Sequence, residues 1–131
     1  MYRKRIEIAG AKYNKDKLDY YLKSDIFVFP SYYGEGLPTV LIEAMAVGLP
    51  IVTTKVGAIT YIMKNGVNGV ILDDHSSKSI VAGIEQLLEN PQKMDRMKRH
   101  NLENAEQYDV QVVTRKMEQY YREILCRNYY A

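Results

Sequence analysis

Apolar residues in this chain fall into short continuous runs separated by glycine, proline and polar residues. The runs at 26–29, 51–54 and 69–72 are bounded by turn-forming residues. This pattern is typical of strands buried on both faces of a parallel sheet. A further strand is predicted near 5–9, where Gly10 closes a short run that contains two isoleucines.

The longer segments between and after these runs repeat apolar residues at helical spacing. They predict helices over 16–23, 38–47, 59–64, 77–89, 92–106 and 110–127. Pro38 suits the first position of its helix and Gly48 the end of it, while Ser76 is a good N-cap. Strands that alternate with helices predict an α/β fold. We expect a single, partial domain over 1–131, with a Rossmann-like parallel sheet of about four strands and flanking helices.

The βαβ unit over 25–56 has the features of a ligand site. The loop after its first strand holds Gly34 and Gly36 and lies at the carboxyl end of that strand, where open α/β sheets bind ligands. The helix that follows is apolar almost throughout, and Glu43 is its one charge. A carboxylate on a helix built for the interior needs a partner or water. From spacing alone, a position on a thin solvated stripe explains Glu43 at least as well.

The segment 34–46 reads GEGLPTVLIEAMA and resembles the signature of family-4 retaining glycosyltransferases, which have the GT-B architecture. In that signature two glutamates are separated by seven residues, and the second precedes Ala-Met-Ala. Here they are Glu35 and Glu43. A preceding Asp-x-Phe-Val-x-Pro-Ser strand and a following Gly-x-Pro-Ile-Val strand match as well. A match in register over roughly thirty residues of a βαβ unit is a specific signal.

The resemblance implies transfer of a sugar from a nucleotide diphosphate to a glycan or lipid acceptor, with retention of configuration and without a metal or other cofactor. Glu43 would hold the ribose hydroxyls of the nucleotide sugar. Glu35 would be the catalytic residue that faces the transferred sugar. The backbone of the loop and of the helix start would contact donor oxygens and phosphate. The donor-binding residues besides Glu43 would be Gly34, Gly36, Leu37 and Thr39.

The resemblance also implies parts that this chain is expected to lack. The donor domain of the family is a six-stranded doubly wound sheet in the order 3-2-1-4-5-6, and only its last four strands are recognised here. The turn Gly-Gly-x-x-Glu of the family is replaced by GAITY at 57–61, so no role of that glutamate carries over. We therefore expect the C-terminal part of a donor domain. It would be inactive without an acceptor domain from a missing N-terminal domain or an upstream polypeptide.

Composition excludes several other classes. A net charge of +2 is too small to indicate nucleic acid as a partner. The single Cys126 cannot form an internal disulfide, and no apolar run approaches the length of a membrane span or a signal peptide. The expected location is the cytoplasm, including the inner face of the membrane. His75 and His100 lack partners at metal-ligand spacing, so no metal site is expected.

Two other functions remain open at this point. A non-catalytic module could bind a nucleotide or a protein through the exposed crevice. A sugar-nucleotide epimerase would share the GT-B architecture, but the spacing from Glu35 to Glu43 disfavours it. Self-association through an exposed sheet edge or an unmatched terminal helix is also expected.

Overall fold

The computed structural model describes residues 6–34 and 36–129, with side chains described up to residue 126. In chain order, the helices are α1 (Asn14–Leu22), α2 (Thr39–Ala46), α3 (Ile59–Ile62), α4 (Ser77–Leu88), α5 (Pro91–Ala105) and α6 (Val110–Tyr129). The strands are β1 (Phe27–Phe29), β2 (Ile51–Thr54) and β3 (Gly69–Leu72). They form one parallel sheet in the order β1-β2-β3. The α/β class is confirmed.

The central strand β2 is buried along its whole length and separates two apolar clusters. One cluster joins Ile51 to buried side chains of α2 and α3, among them Leu41 and Met45. The other joins Val52 to side chains of β3, α4 and α5, among them Leu87. Since successive side chains of a strand point to opposite faces, both faces of β2 are covered. This burial explains why the strand is a continuous apolar run.

The strand predicted near 5–9 is not formed by the described residues of that segment. Residues 6–9 adopt no regular structure, and the side chains of Ile6 and Ile8 are 68% and 94% exposed. A strand is stable only when a neighbour satisfies its backbone N–H and C=O groups. No described strand pairs with 6–9, so apolar content alone does not produce one. The sheet of the described residues therefore has three strands.

Local signals set the helix ends. Gly48 follows α2 with φ +79°, and hydrogen bonds from Gly48 to Met45 and from Leu49 to Ala44 close the helix. This is the Schellman arrangement, which favours glycine. Pro38 lies at the N-cap of α2, one residue before the predicted position. The hydroxyl of Ser76 accepts a hydrogen bond from Ser79 N at 3.2 Å, so the predicted cap of α4 is confirmed.

A polar pair joins α5 to the sheet inside the core. Asn68, in the turn before β3, and Asn101, on α5, are 1% and 0% exposed. Nδ2 of Asn68 donates to Oδ1 of Asn101 at 2.9 Å. Nδ2 of Asn101 donates to the carbonyl oxygens of Leu49 and Asn68 at 2.7 and 2.9 Å. Both amides are therefore satisfied in a buried setting.

The first and last helices are bound more loosely than the rest. Helix α1 has no buried residue, and its leucines Leu18 and Leu22 are 44% and 64% exposed. Of the described side chains on α6, Val112 is the one that is partly shielded, and the others are exposed. None of the described helices combines the length and the apolar character needed to cross a membrane.

Candidate functional site

The site is built at the carboxyl edge of the sheet, where the loop after β1 begins. Thr53 on β2 donates its hydroxyl to the carbonyl oxygen of Phe29 at 2.7 Å, and Thr54 donates to the carbonyl oxygen of Ser31. Both threonines are buried. The chain leaving β1 is thus bound to the neighbouring strand by side-chain hydrogen bonds in addition to the sheet ladder. This fixes the direction in which the glycine-containing loop departs.

Aromatic rings lie where this loop passes the end of β3. The ring centroids of Tyr32 and Tyr33 are 4.2 Å apart, and that of Tyr32 is 5.3 Å from the ring of His75 in the turn after β3. The two tyrosines are 60% and 64% exposed. A sequence separation of more than forty residues concealed the contact between Tyr32 and His75. The rings form one exposed polar and aromatic wall beside the sheet edge.

The two loop glycines stand in open space. A Cβ atom built on Gly34 or Gly36 meets no atom within 4 Å, and neither has a positive φ. Their lack of a side chain is therefore not required by packing or by backbone conformation within the described chain. Glu35, between them, lies outside the described residues. Its predicted role as the catalytic residue stays a prediction.

Helix α2 begins at this loop with its first turn open. Its N-cap residue is Pro38, and no described side chain accepts a hydrogen bond from the helix start. The first amide that bonds back is that of Leu41, to the carbonyl oxygen of Pro38 at 3.1 Å. Thr39 is exposed, and Leu37 is 43% exposed. Uncapped N–H groups and the positive end of the helix dipole together attract an anion.

Glu43 lies one turn further along α2, on the same side as Thr39. Its carboxylate is held by two residues of α1. Nζ of Lys17 lies 2.9 Å from Oε1 and 2.9 Å from Oε2, and the hydroxyl of Tyr21 donates to Oε2 at 3.0 Å. The side chains of Glu43 and Lys17 are 35% and 40% exposed. A carboxylate on this helix was expected to need a partner, and it has two, a cation and a phenol from another helix.

Tyr21 connects this cluster to the core. Its ring centroid is 5.6 Å from that of Phe27 on β1, and it packs against the apolar cluster beneath α2. Burial, and then the hydrogen bond to Glu43, raise the pKa of Tyr21 to about 12. The phenol is consequently a proton donor throughout the physiological range. It fixes Oε2 of Glu43 from the protein side.

These elements define what the arrangement can do chemically. The amides of the α2 start can bind an anion such as a phosphate, and the partly exposed carboxylate of Glu43 can accept hydrogen bonds from hydroxyl groups. Within the described residues, no group of three His, Cys, Asp or Glu side chains could hold a metal ion. Thr39 and Glu43 lie one turn apart on the same side of α2, and Gly36 and Leu37 lie in the loop just before that helix.

Sequence reasoning missed the two residues that contact Glu43. Lys17 and Tyr21 are spaced by four residues on α1 and so share a helix face. That spacing was the available signal. Their target lies 26 and 22 residues away in sequence, and no local pattern indicates it.

A cavity lies at the opposite end of the sheet. It has a volume of about 460 Å³ and is lined by Gly66, Val67, Lys93, Arg96, Met97 and His100. Because residues 66 and 67 precede β3, this cavity is at the amino edge and apart from the loop after β1. It contains none of the residues predicted to bind a donor.

Comparison with known proteins identifies the family. A match to the family described as glycosyl transferases group 1 spans residues 1–104. The chain is 27% identical over 109 residues to a D-inositol 3-phosphate glycosyltransferase of Thermobispora bispora, covering 83% of this chain and 25% of that protein. It is 30% identical over 116 residues to the capsular polysaccharide biosynthesis glycosyltransferase CapM of Staphylococcus aureus, covering 87% and 30%.

Solved structures agree on the fold. HepE from Anabaena, in complex with UDP, superposes with a TM-score of 0.77 at 23% identity, covering 84% of this chain and 30% of that chain. The chain thus spans between a quarter and a third of the length of each of these three proteins, and its three-stranded sheet corresponds to part of a GT-B fold. The chain therefore belongs to the glycosyl transferases group 1 family.

Proposed function

We propose that this chain is the C-terminal, donor-binding part of a family-4 retaining glycosyltransferase of the hexosyltransferase type. The whole enzyme would transfer a sugar from a nucleotide-diphosphate sugar to a glycan or lipid acceptor. One observation carries the proposal above the others. The partly buried carboxylate of Glu43 lies one turn behind a helix start that no described side chain caps, at the carboxyl edge of a parallel sheet.

The chemistry of a nucleotide sugar matches these groups. The amides near Gly36, Leu37 and Thr39 supply donors for the diphosphate. Glu43 accepts from both neighbouring hydroxyls of the ribose, which a carboxylate does well because it is acceptor-only and charged. In this proposal Glu35 faces the transferred sugar, whose anomeric carbon gains positive charge in the transition state. UDP bound to the structural neighbour HepE supports this choice of ligand class.

The proposed division of labour leaves the acceptor to another part of the enzyme. In this proposal the described residues contact the donor alone. We expect an N-terminal acceptor domain or a separate polypeptide to provide it, and little transfer by the isolated chain. No metal is needed in this scheme, because helix amides neutralise part of the diphosphate charge. The enzyme would work in the cytoplasm, at the inner face of the membrane when its acceptor is a lipid.

The test is calorimetric titration of the chain with UDP-glucose, GDP-mannose and ADP-glucose, followed by Glu43→Gln. The amide keeps the size of the side chain but loses the charge. Since a hydrogen bond to a charged group contributes about 1.5–3 kcal/mol, affinity should fall by about tenfold to a hundredfold. Glu85→Gln, an exposed position on α4, is the matched control. Equal affinity of wild type and Glu43→Gln would refute the ribose assignment.

The non-catalytic binding module remains the second candidate, and the exposed rings of Tyr32 and Tyr33 favour it, because they offer a contact surface without a reactive group. Titrations of the wild type and of Glu35→Gln, each with UDP and with UDP-glucose, distinguish a transferase from a binding module. In a transferase the sugar adds contacts and Glu35→Gln changes only the binding of UDP-glucose. In a module that recognises the nucleotide alone, the two ligands bind equally and the substitution changes neither.

A further inference from the structure

We propose that Lys17 and Tyr21 are positioning residues that aim the carboxylate of Glu43 at the two ribose hydroxyls of the donor. The inference rests on the proposed function and adds two residues of α1 to the site. It is carried by the three contacts that these side chains make with the two carboxylate oxygens.

The number of acceptor positions on the Glu43 carboxylate explains how it can bind Lys17, Tyr21 and two ribose hydroxyls at the same time. A carboxylate offers about four lone-pair positions, two on each oxygen. Tyr21 occupies one position on Oε2, and the ammonium of Lys17 bridges the two oxygens. If Lys17 retains its contact with Oε1, one position on each oxygen is left. Two neighbouring ribose hydroxyls donate two hydrogen bonds and fill these positions.

The two donors differ in how firmly they are held. The ring of Tyr21 packs against Phe27 and the core, so its hydroxyl is a rigid reference point. Lys17 is 40% exposed on a flexible stem and can shift from bridging both oxygens to contacting one. Tyr21 therefore sets the orientation of the carboxylate, and Lys17 adds a charge-assisted hydrogen bond to it.

Without these contacts, Glu43 would have to lose its side-chain freedom on each binding event. Ordering a long side chain on binding is unfavourable, and a side chain already held in the bound geometry avoids that loss. The proposal therefore predicts an effect on recognition of the ribose and none on recognition of the diphosphate. This separates a positioning role from a merely structural one.

The experiment measures discrimination between ribose and deoxyribose. Titrations with UDP and 2′-deoxy-UDP, and with GDP and 2′-deoxy-GDP, are compared in the wild type, Tyr21→Phe and Lys17→Met. Phenylalanine keeps the ring that packs on Phe27, and methionine keeps most of the lysine stem, so both variants should fold. Their neighbours Tyr20→Phe and Lys15→Met are matched controls, since neither residue contacts Glu43 in the described structure.

We expect the wild type to prefer the ribonucleotide by about tenfold and each positioning variant by about threefold or less, as for loss of a preorganised contact. The controls should keep the wild-type preference. If Tyr21→Phe and Lys17→Met also keep it, while Glu43→Gln loses it, the positioning role is wrong and the ribose assignment stands. Tighter binding by Lys17→Met would make Lys17 a competitor of the ligand and overturn its role. If the wild type prefers neither ribonucleotide, the ribose assignment and this inference both fall.

Discussion

Two hydrogen bonds link Asn68 and Asn101 across the core, and each side-chain amide donates one of them. Asn68 donates to the side-chain oxygen of Asn101 at 2.9 Å, and Asn101 donates to the backbone oxygen of Asn68 at 2.9 Å. A further bond from Asn101 reaches the carbonyl oxygen of Leu49. This pair links the turn before β3, the end of α2 and helix α5 at the amino edge of the sheet.

Replacing Asn101 by leucine should therefore destabilise the fold. The number and branching of side-chain heavy atoms are kept, but the side-chain amide of Asn68 and the carbonyl oxygen of Leu49 lose this partner in a buried setting. The carbonyl oxygen of Asn68 keeps its hydrogen bond from Ile51 N. Each unsatisfied buried group costs about 1–3 kcal/mol, so we expect a loss of about 2–5 kcal/mol in the free energy of unfolding. Urea denaturation measures it. Asn104→Leu, which removes a 3.7 Å contact to sulfur and an exposed hydrogen bond from Gln107, is the control. Equal losses in both variants would contradict this reading.

Gly48 and Gly66 allow backbone strain and steric contact to be separated. Both have φ +79°. A Cβ atom on Gly48 would lie 3.1 Å from Cγ of Leu102, whereas one on Gly66 would meet nothing within 4 Å. Alanine at Gly66 should cost about 1–2 kcal/mol from the left-handed conformation alone. Alanine at Gly48 should cost more, as measured by thermal unfolding. If Gly48→Ala loses no more stability than Gly66→Ala, the side chain of Leu102 moves aside without a measurable cost.

Tyr21 should make stability fall at alkaline pH. Its pKa is about 12 in the folded chain and about 10 when unfolded. Between these values the unfolded chain loses the proton and the folded chain keeps it, so the stabilising contribution of Tyr21 is complete below pH 10 and declines as pH rises to 12. Unfolding free energies of the wild type and Tyr21→Phe should therefore converge across this window. Tyr20→Phe is the neighbouring control. A constant difference between wild type and Tyr21→Phe would refute the assignment.

Self-association through α6 is expected from its surface. Exposed apolar side chains recur at alternating intervals of three and four residues, which is the spacing of a helix–helix seam. They are Val110, Val113, Met117, Tyr120 and Ile124. Sedimentation velocity over a concentration series should show reversible association, and the double variant Met117→Lys, Ile124→Lys should abolish it. Gln111→Lys with Gln119→Lys adds the same charge away from this seam. Concentration-independent sedimentation of the wild type would disprove the expectation.

Much of the sheet and its helices could be predicted because the signals are local. Strands β2 and β3 lie where continuous apolar runs meet turn residues, and Ser76 begins α4 because its side chain can cap the adjacent amides. The strand expected near 5–9 has the same kind of local signal. It fails in the described residues because a strand also requires a hydrogen-bonding neighbour, which the segment itself does not encode.

The sequence predicted the residues on only one side of the candidate site. The loop and α2 residues could be named from their order in the chain. The α1 side could not, since Lys17 reaches Glu43 across 26 residues. Asn68 shows the same limit inside the core. In a segment that reads NGVNG, a buried asparagine and an exposed one look identical, and only the approach of Asn101 distinguishes them.

Helix α1 has no buried residue, and its contacts to the body include the two side chains that hold Glu43. Opening of such a helix requires little free energy, so its amides should exchange with solvent early. A ligand that fixes the carboxylate would also strengthen the anchor of α1. The rate of amide exchange over residues 14–22 would then report whether the ligand is bound. These residues lie on a helix next to the ligand site and not in the loop that binds the ligand.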